Sequence, residues 1–350
     1  MKHCVWIGLL MAGLIEVGEA QTNSPPTTNV PLAAATNAPG SPSTHTTVAA
    51  RTDTVVAAVP TNAEDKVELR YQLLLRQDDD ALTETQKLIS RSNAQQGSDW
   101  KENSEEELRQ MIQSRVGSVK KAYQDFLRDN PRHVKAMIAY GSFLCDLQEE
   151  EEGVTWWLKA REIDPRNAAV HNNLANHYSH DSNPKRAIEE YETAIALQPS
   201  EPTFYFNLGN MMYLYRKETG ELKKWTEDEV FEHSLQAFRQ ARDLEPGSYD
   251  YAYTYAETFY GVKPTNWRRA LEAWDFCLKL NITPIQRDQI YTHLARINIR
   301  LGKIKKARDY LELVKSDQWQ DLRLRLTEIA NHQEAILKVE DTLKPDTTKP

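Results

Sequence analysis

The sequence predicts an all-α protein in which about five helix pairs stack into a solenoid. A repeated spacing leads to this prediction, since Pro131, Pro165 and Pro199 are 34 residues apart. Large and small apolar residues recur at the same interval, in the pairs Trp157 and Tyr191, Ala160 and Ala194, and Leu174 and Leu208. A fixed period of this length is typical of repeat architectures, in which a unit buries its apolar face by stacking on its neighbours.

The composition argues against two broad functions. The chain has 350 residues, a formal net charge of −8 and a pI near 5.7. A nucleic-acid surface or an anionic-membrane surface needs clustered basic charge, which this balance does not favour. We therefore expect no nucleic-acid partner.

The N-terminus is typical of an export signal. Two basic residues precede the 12-residue apolar run Cys4–Ile15, and small residues flank the expected cleavage site near Ala20. The run is well short of the roughly 20 residues that a spanning helix needs, so we expect no membrane-spanning segment in the mature chain and a periplasmic or secreted location. An uncleaved anchor is the alternative. After cleavage only Cys145 and Cys277 remain, which we expect to be buried thiols rather than a disulfide framework.

Two different segments precede the repeats. In residues 21–60, 23 of 40 residues are Thr, Pro or Ala, a composition that predicts a disordered linker. Residues 61–117 are predicted to be helical, because no proline lies between Pro60 and Pro131 and apolar residues such as Val67 and Tyr71 are at helical spacing. The run "QDDDAL" at 77–82 is interpreted as a turn and helix N-cap, with a metal-binding acidic cluster as the alternative.

The repeat frame continues beyond the regular part. Gly141, Ala175, Gly209 and Ala256 mark one position with steps of 34, 34 and 47 residues, so the third unit has 13 extra residues. The five predicted units lie near residues 134–167, 168–201, 202–248, 249–287 and 288–319. A half unit, "SVKKAYQDFLRDNP", extends the array to residues 118–319. Residues 320–340 are predicted to form an amphipathic capping helix that packs through Leu322, Leu326, Ile329 and Ile336, followed by a disordered tail at 341–350.

The second unit, "HNNLANHYSHDSNPKRAIEEYETAIALQP", resembles the tetratricopeptide repeat (TPR) family. It has a large residue, Leu-Ala and Tyr in the first helix (helix A), then Ala, an aromatic, Ala and Pro in the second (helix B). Elsewhere the sequence departs from this pattern, with Gly153 where Ala is usual, a proline displaced by two residues in "LNITP", and Trp319 in place of the last proline. The resemblance implies a TPR-type solenoid whose small residues let paired helices approach closely.

No familiar catalytic motif occurs in the sequence. We find no phosphate-binding glycine loop, nucleophile elbow, His-Glu-x-x-His pair or paired CxxC. In the repeat frame His171 takes a packing position, and His177 and His180 lack further metal ligands nearby. We therefore expect a protein that is not an enzyme and that needs no cofactor or metal.

The resemblance also implies a concave groove lined by helices A. The predicted partner-binding residues there are Asn172, Asn173, Asn176, Phe206, Asn207, Asn210, Tyr213, Tyr253, Glu257, Tyr260 and Arg296. An Asn amide offers a donor and an acceptor, so a ladder of them could hold an extended peptide, although some of these positions serve structure in the family. Trp225 in the insertion is interpreted either as a partner anchor or as a hydrophobic staple.

These observations predict an exported scaffold that binds a partner protein or peptide in the groove. A cell-envelope glycan-binding module is the alternative, because aromatic rings and amides also suit sugars. An accessory subunit of an envelope enzyme is the third interpretation. The sequence does not identify the partner.

Overall fold

The computed structural model describes residues 63–94, 102–181, 183–262 and 265–342. The predicted export signal, the linker at 21–60 and all but two residues of the tail at 341–350 lie outside these ranges. Within them every regular element is a helix, which confirms the all-α prediction. None of the helices in this part of the chain is both long and apolar enough to cross a bilayer. The chain divides into two compact units, Met1–Leu197 and Gln198–Pro350, which are described separately.

The first unit contains six helices in the described ranges. They are α1 (Ala63–Ala94), α2 (Glu102–Asp129), α3 (Val134–Asp146), α4 (Glu150–Ile163), α5 (Ala168–His180) and α6 (Pro184–Leu197). Helix α3 packs against α4, and α5 packs against α6, as the predicted repeats one and two require.

The predicted turn at residues 77–82 is wrong, because α1 continues through it. One reason is tertiary: Tyr71 and Leu74 of α1 are buried in the core of the unit, and the Tyr123 hydroxyl donates to Asp78 Oδ2 at 2.7 Å. Desolvation raises the pKa of Asp78 to about 7.

The pair α3 and α4 is in unusually close contact. A Cβ added at Gly153 would lie 2.6 Å from both the Gly141 carbonyl oxygen and Cys145 Sγ. The Trp157 ring covers Gly141, and its Nε1 donates to the Ile138 carbonyl at 3.1 Å. Gly153 therefore replaces the usual Ala because only a hydrogen atom fits between these helices.

The second unit contains eight α-helices in the described ranges. They are α7 (Pro202–Leu214), α8 (Arg216–Lys223), α9 (Glu227–Leu244), α10 (Tyr249–Thr258), α11 (Trp267–Cys277), α12 (Pro284–Arg300), α13 (Ile304–Leu313) and α14 (Gln320–Thr342), with a 3-10 turn at Asp317–Trp319. Helix α7 packs against α9, α10 against α11, and α12 against α13. These are the pairs that repeats three, four and five predict.

The start of each helix A is fixed by a local cap. A side chain at the N-cap accepts a hydrogen bond from a backbone N–H of the first turn, which has no acceptor within the helix. The capping residues are His133, Asn167, Glu201, Ser248 and Thr283. The first four each lie two residues after a proline, so the 34-residue period reproduces the stop of one pair and the start of the next.

The insertion in repeat three forms α8 and lengthens the helix that follows. Thr226 and Glu229 make a capping box, with Thr226 N donating to Glu229 Oε2 at 2.7 Å and Glu229 N donating to Thr226 Oγ1 at 3.3 Å. Trp225 stacks on His233 at 3.7 Å between ring centroids and joins the apolar cluster that contains Val230. This placement favours the staple interpretation, in which residues flanking the cap pack together.

The final helix packs with a different face from the predicted one. Leu322 and Leu326 contact the apolar cluster of α12 and α13, as predicted, but Ile329 and Ile336 are 52% and 38% exposed. Ala330 and Leu337 take their place, because α14 lies against both α12 and α13 and the small Ala330 permits close approach. The prediction for Ile329 and Ile336 was wrong.

Of the two cysteines, Cys277 is buried as predicted, whereas Cys145 is only half-buried. Burial raises the pKa of each thiol to about 12.

Candidate functional site

The three predicted groove residues of the first unit are interior residues. Asn172, Asn173 and Asn176 of α5 are all buried. The Tyr191 hydroxyl donates to Asn176 Oδ1 at 2.7 Å, and Asn173 Nδ2 donates to Ser142 Oγ at 3.3 Å. These amides therefore link α5 to α6 and α3 rather than presenting a ladder to solvent.

Two predicted groove residues of the second unit are also interior. Asn207 is buried, and Phe206 is 6% exposed. The Phe206 ring packs 5.0 Å from Tyr251 and 5.7 Å from Phe238, between centroids. Six of the eleven predicted residues thus keep exposed area, and all six lie in the second unit: Asn210, Tyr213, Tyr253, Glu257, Tyr260 and Arg296.

Most of these side chains meet on one surface formed by helices A. Tyr213 comes from α7, Tyr253 and Glu257 come from α10, and Tyr260 follows directly after α10. Helix α12 contributes Gln289 and His293, which were not predicted, and Arg296, which was. We call these seven residues the tyrosine surface. Asn210 is half-buried one turn before Tyr213.

Hydrogen bonds fix the orientation of Tyr253. Its hydroxyl accepts from Gln289 Nε2 at 2.9 Å and donates to Glu257 Oε1 at 3.3 Å. The Tyr249 hydroxyl donates to Gln289 Oε1 at 3.5 Å, which holds the amide in turn. Hydrogen bonds between Gln289 of α12 and the two tyrosines of α10 therefore hold these side chains in place.

Tyr260 is held by His293. The Tyr260 hydroxyl is 3.0 Å from His293 Nδ1. Burial, with the nearby charge of Arg296, lowers the pKa of His293 to about 3, so the imidazole is neutral at neutral pH and can accept this hydrogen bond. The Arg296 guanidinium lies over the Tyr260 ring at 5.7 Å from its centroid, a cation–π distance.

Trp274 supports the tyrosine surface from beneath. It is fully buried, and its ring stacks on His293 at 4.0 Å with 6° between planes. Tyr253 meets the same ring edge-on at 5.3 Å. The indole therefore fixes the positions of one residue from α10 and one from α12.

The sequence contained a signal for Trp274. The residues Ala270, Trp274 and Cys277 repeat the spacing of Ala187, Tyr191 and Ala194 in repeat two. Ala175 and Ala256 occupy the same position of the repeat. Counted from Ala256, however, Ala270 comes two residues later than Ala187 does when counted from Ala175. The longer connection between α10 and α11 accounts for this shift and hides the match from a fixed period.

The Glu257 carboxyl has a raised pKa and no cationic partner among the described residues. Its side chain is exposed, yet desolvation by the surrounding protein raises the pKa of its carboxyl. Within the described residues, no Lys, Arg or His forms an ion pair with Glu257, whose one assigned hydrogen bond comes from Tyr253.

Of the three histidines of α5, His171 has a structural role. His171 Nδ1 lies 2.5 Å from Glu190 Oε2, and its Nε2 lies 2.9 Å from the Pro165 carbonyl oxygen. Both nitrogens face acceptors, so the protonated ring satisfies both, and the hydrogen bond with Glu190 raises the pKa of His171. His177 and His180 do not belong to any group of three or more potential metal ligands in the part of the chain that the structure describes.

Helix pairs with these caps, small-residue contacts and packing positions define a helical repeat protein. Family models agree: one described as TPR repeat matches residues 185–214, and one described as tetratricopeptide repeat matches residues 288–316. The chain therefore contains tetratricopeptide repeats.

Solved structures of similar fold include several TPR proteins. YrrB, described as a TPR protein with an unusual peptide-binding site, is 15% identical, with coverage of 62% of this chain and 99% of YrrB and a TM-score of 0.44. PilF of Pseudomonas aeruginosa is 21% identical over 60% of this chain and 93% of its own, with a TM-score of 0.41. The C-terminal part of a TPR repeat-containing protein from Cytophaga hutchinsonii is 10% identical over 73% and 98%, with a TM-score of 0.47. A sequence comparison with curated proteins gave no match.

Proposed function

We propose that this protein is a non-enzymatic scaffold that holds a segment of a partner protein against the tyrosine surface. The observation that supports this most directly is the arrangement of three half-buried tyrosines, Tyr213, Tyr253 and Tyr260, around the exposed Glu257. Tyrosine contributes strongly to interfaces, because its ring supplies apolar area and its hydroxyl a polar contact.

Energetics favour rings over amides as the main source of affinity. A micromolar complex requires about 8 kcal/mol, whereas a net hydrogen bond contributes about 1 kcal/mol. The buried Asn172, Asn173 and Asn207 cannot add to that total without rearrangement of the helices. The tyrosines are already oriented by Gln289 and His293, which reduces the entropy lost when a partner binds.

Two groups in this part of the second unit, His293 and Cys277, are unsuited to catalysis. A general base should have a pKa near the operating pH, but the pKa of His293 is about 3. The thiol of Cys277, which is buried in the core of the same unit, has a pKa of about 12, so little thiolate is present as a nucleophile.

We further propose that the scaffold is exported, with cleavage near Ala20. The support is the apolar run Cys4–Ile15 between basic and small residues.

Selection of linear peptides from a displayed random library tests the binding role. The full chain is used as bait, and selected peptides are measured against a double variant, Tyr213→Ala with Tyr253→Ala. We expect a loss of roughly tenfold or more in affinity, since two rings are removed. Tyr310→Ala is the matched control, because Tyr310 is a half-buried tyrosine on the helix B of another pair.

Circular dichroism first establishes that both variants are folded. Equal binding by the double variant and the wild type, or an equal loss in the control, would contradict the proposal. A glycan array probed in parallel addresses the alternative: glycan binding without any selected peptide would replace the peptide scaffold by a glycan-binding module.

A further inference from the structure

The carboxylate of Glu257 has unused capacity for hydrogen bonds. An ionised carboxylate has about four acceptor positions. Among the described residues, one hydrogen bond to Glu257 is assigned, from the Tyr253 hydroxyl at 3.3 Å, and no cationic side chain pairs with it. Glu257 is exposed, and its charge acts on Tyr213, Tyr253 and Tyr260.

The surroundings strengthen the effect of this charge. Burial raises the pKa of Tyr213 and of Tyr253, and the charge of Glu257 is the next contribution in both. The same charge also raises the pKa of Tyr260, so the carboxylate acts on one tyrosine of α7, one of α10 and one that follows α10. A cation placed here would be less screened by water than on an open helix face.

We infer that the bound segment presents a lysine or arginine side chain to Glu257, with the neighbouring tyrosines completing the site. This rests on the proposed function and adds the chemistry of the partner. A Lys ammonium brings three donors and an Arg guanidinium five, which match the open acceptor positions of the carboxylate. Aromatic rings beside a carboxylate suit the apolar stem of either side chain and attract its charge.

An acidic side chain is the less suitable occupant. The cations near this surface are already engaged, because the Arg296 guanidinium lies over the Tyr260 ring and Arg216, whose charge acts on Tyr213, pairs with Glu227 at 3.3 Å. Arg296 is half-buried, whereas Glu257 is exposed, so an incoming group meets the carboxylate more readily. Like charge at Glu257 would also oppose an acidic segment.

The test uses the same random-peptide selection with the full chain, carried out on the wild type, Glu257→Gln and Glu257→Lys. Peptides selected by the wild type should share a Lys or Arg at one fixed position and should bind Glu257→Gln about tenfold more weakly. Glu257→Lys should instead select Asp or Glu at that position. Glu272→Gln is the control, because Glu272 is exposed on α11 and its change alters net charge equally.

The outcomes separate the two proposals. If the peptides selected by the wild type lack a shared basic residue, or bind Glu257→Gln as tightly as the wild type, this inference is wrong. The scaffold proposal survives that result provided that the Tyr213→Ala and Tyr253→Ala double variant still loses binding. If the wild type selects no peptide, both proposals fail. Since Glu257 is exposed and makes no ion pair in the described chain, its variants should fold, which circular dichroism verifies.

Discussion

Replacement of Gly153 by alanine distinguishes the family pattern from the structure of this chain. Alanine is the usual TPR residue at this position, and in a helix interior it is about 1 kcal/mol more favourable than glycine. In this protein, however, the new Cβ would lie 2.6 Å from the Gly141 carbonyl oxygen. That atom belongs to the backbone and cannot move by a rotamer change, so α3 and α4 must separate, at a cost of roughly 2–3 kcal/mol for overpacking. The net expectation is a loss of about 1–2 kcal/mol.

Urea denaturation followed by circular dichroism measures this effect. At a slope of roughly 2–3 kcal/mol/M, the unfolding midpoint of Gly153→Ala should fall by about 0.5 M. Gly117→Ala is the matched control, since Gly117 is an exposed residue of α2 with no atom within 4 Å of its added Cβ, and it should raise the midpoint. A rise of similar size in both variants would refute the close contact between α3 and α4.

Four other outcomes can be measured on the same protein. Because the pKa of His171 is raised in the folded state, its contribution to stability is fully present below its unfolded-state pKa of about 6.5 and is lost as pH rises through its folded-state pKa. Urea midpoints should show this decline in the wild type but not in His171→Phe. Tyr191→Phe removes the hydrogen bond to Asn176 and should lower unfolding free energy by about 1 kcal/mol, measured by denaturation at constant pH. Affinity for selected basic peptides should fall as pH drops through the raised pKa of Glu257, with a flat profile in Glu257→Gln, by titration calorimetry. If the proposed export and cleavage occur, mass spectrometry of the protein purified from its source cells should find Gln21 at the N-terminus, and an intact Met1 would contradict cleavage.

Sequence reasoning succeeded where the determining contacts are local. The starts of helices A follow from a capping side chain two residues after a proline, as at Asn167 and Ser248, and both signals lie within a few residues of the helix they define. The capping box of Thr226 was predictable for the same reason. The period then carried these local signals along the chain, including past an insertion of 13 residues.

It failed where burial depends on residues distant in sequence. Asn173 and Asn176 are interior because Ser142 and Tyr191, 31 and 15 residues away, meet their amides. The face of α14 that packs could not be chosen from its own apolar residues, since α12 and α13 together select Ala330 over Ile329. A helical pattern gives the width of an apolar face but not which part of it a neighbour covers.

The pH profile of binding can be assigned to one group because the others on the tyrosine surface titrate elsewhere. His293 has a pKa of about 3, and burial raises the pKa of each tyrosine of this surface above its ordinary value. Among the groups of this surface whose pKa is shifted, Glu257 is therefore the one that loses its charge as the pH drops from neutral through its raised pKa. A change in affinity over that range that persists in Glu257→Gln would have to come from the peptide itself. A peptide variant in which arginine replaces histidine and acidic residues separates titration of the peptide from titration of Glu257.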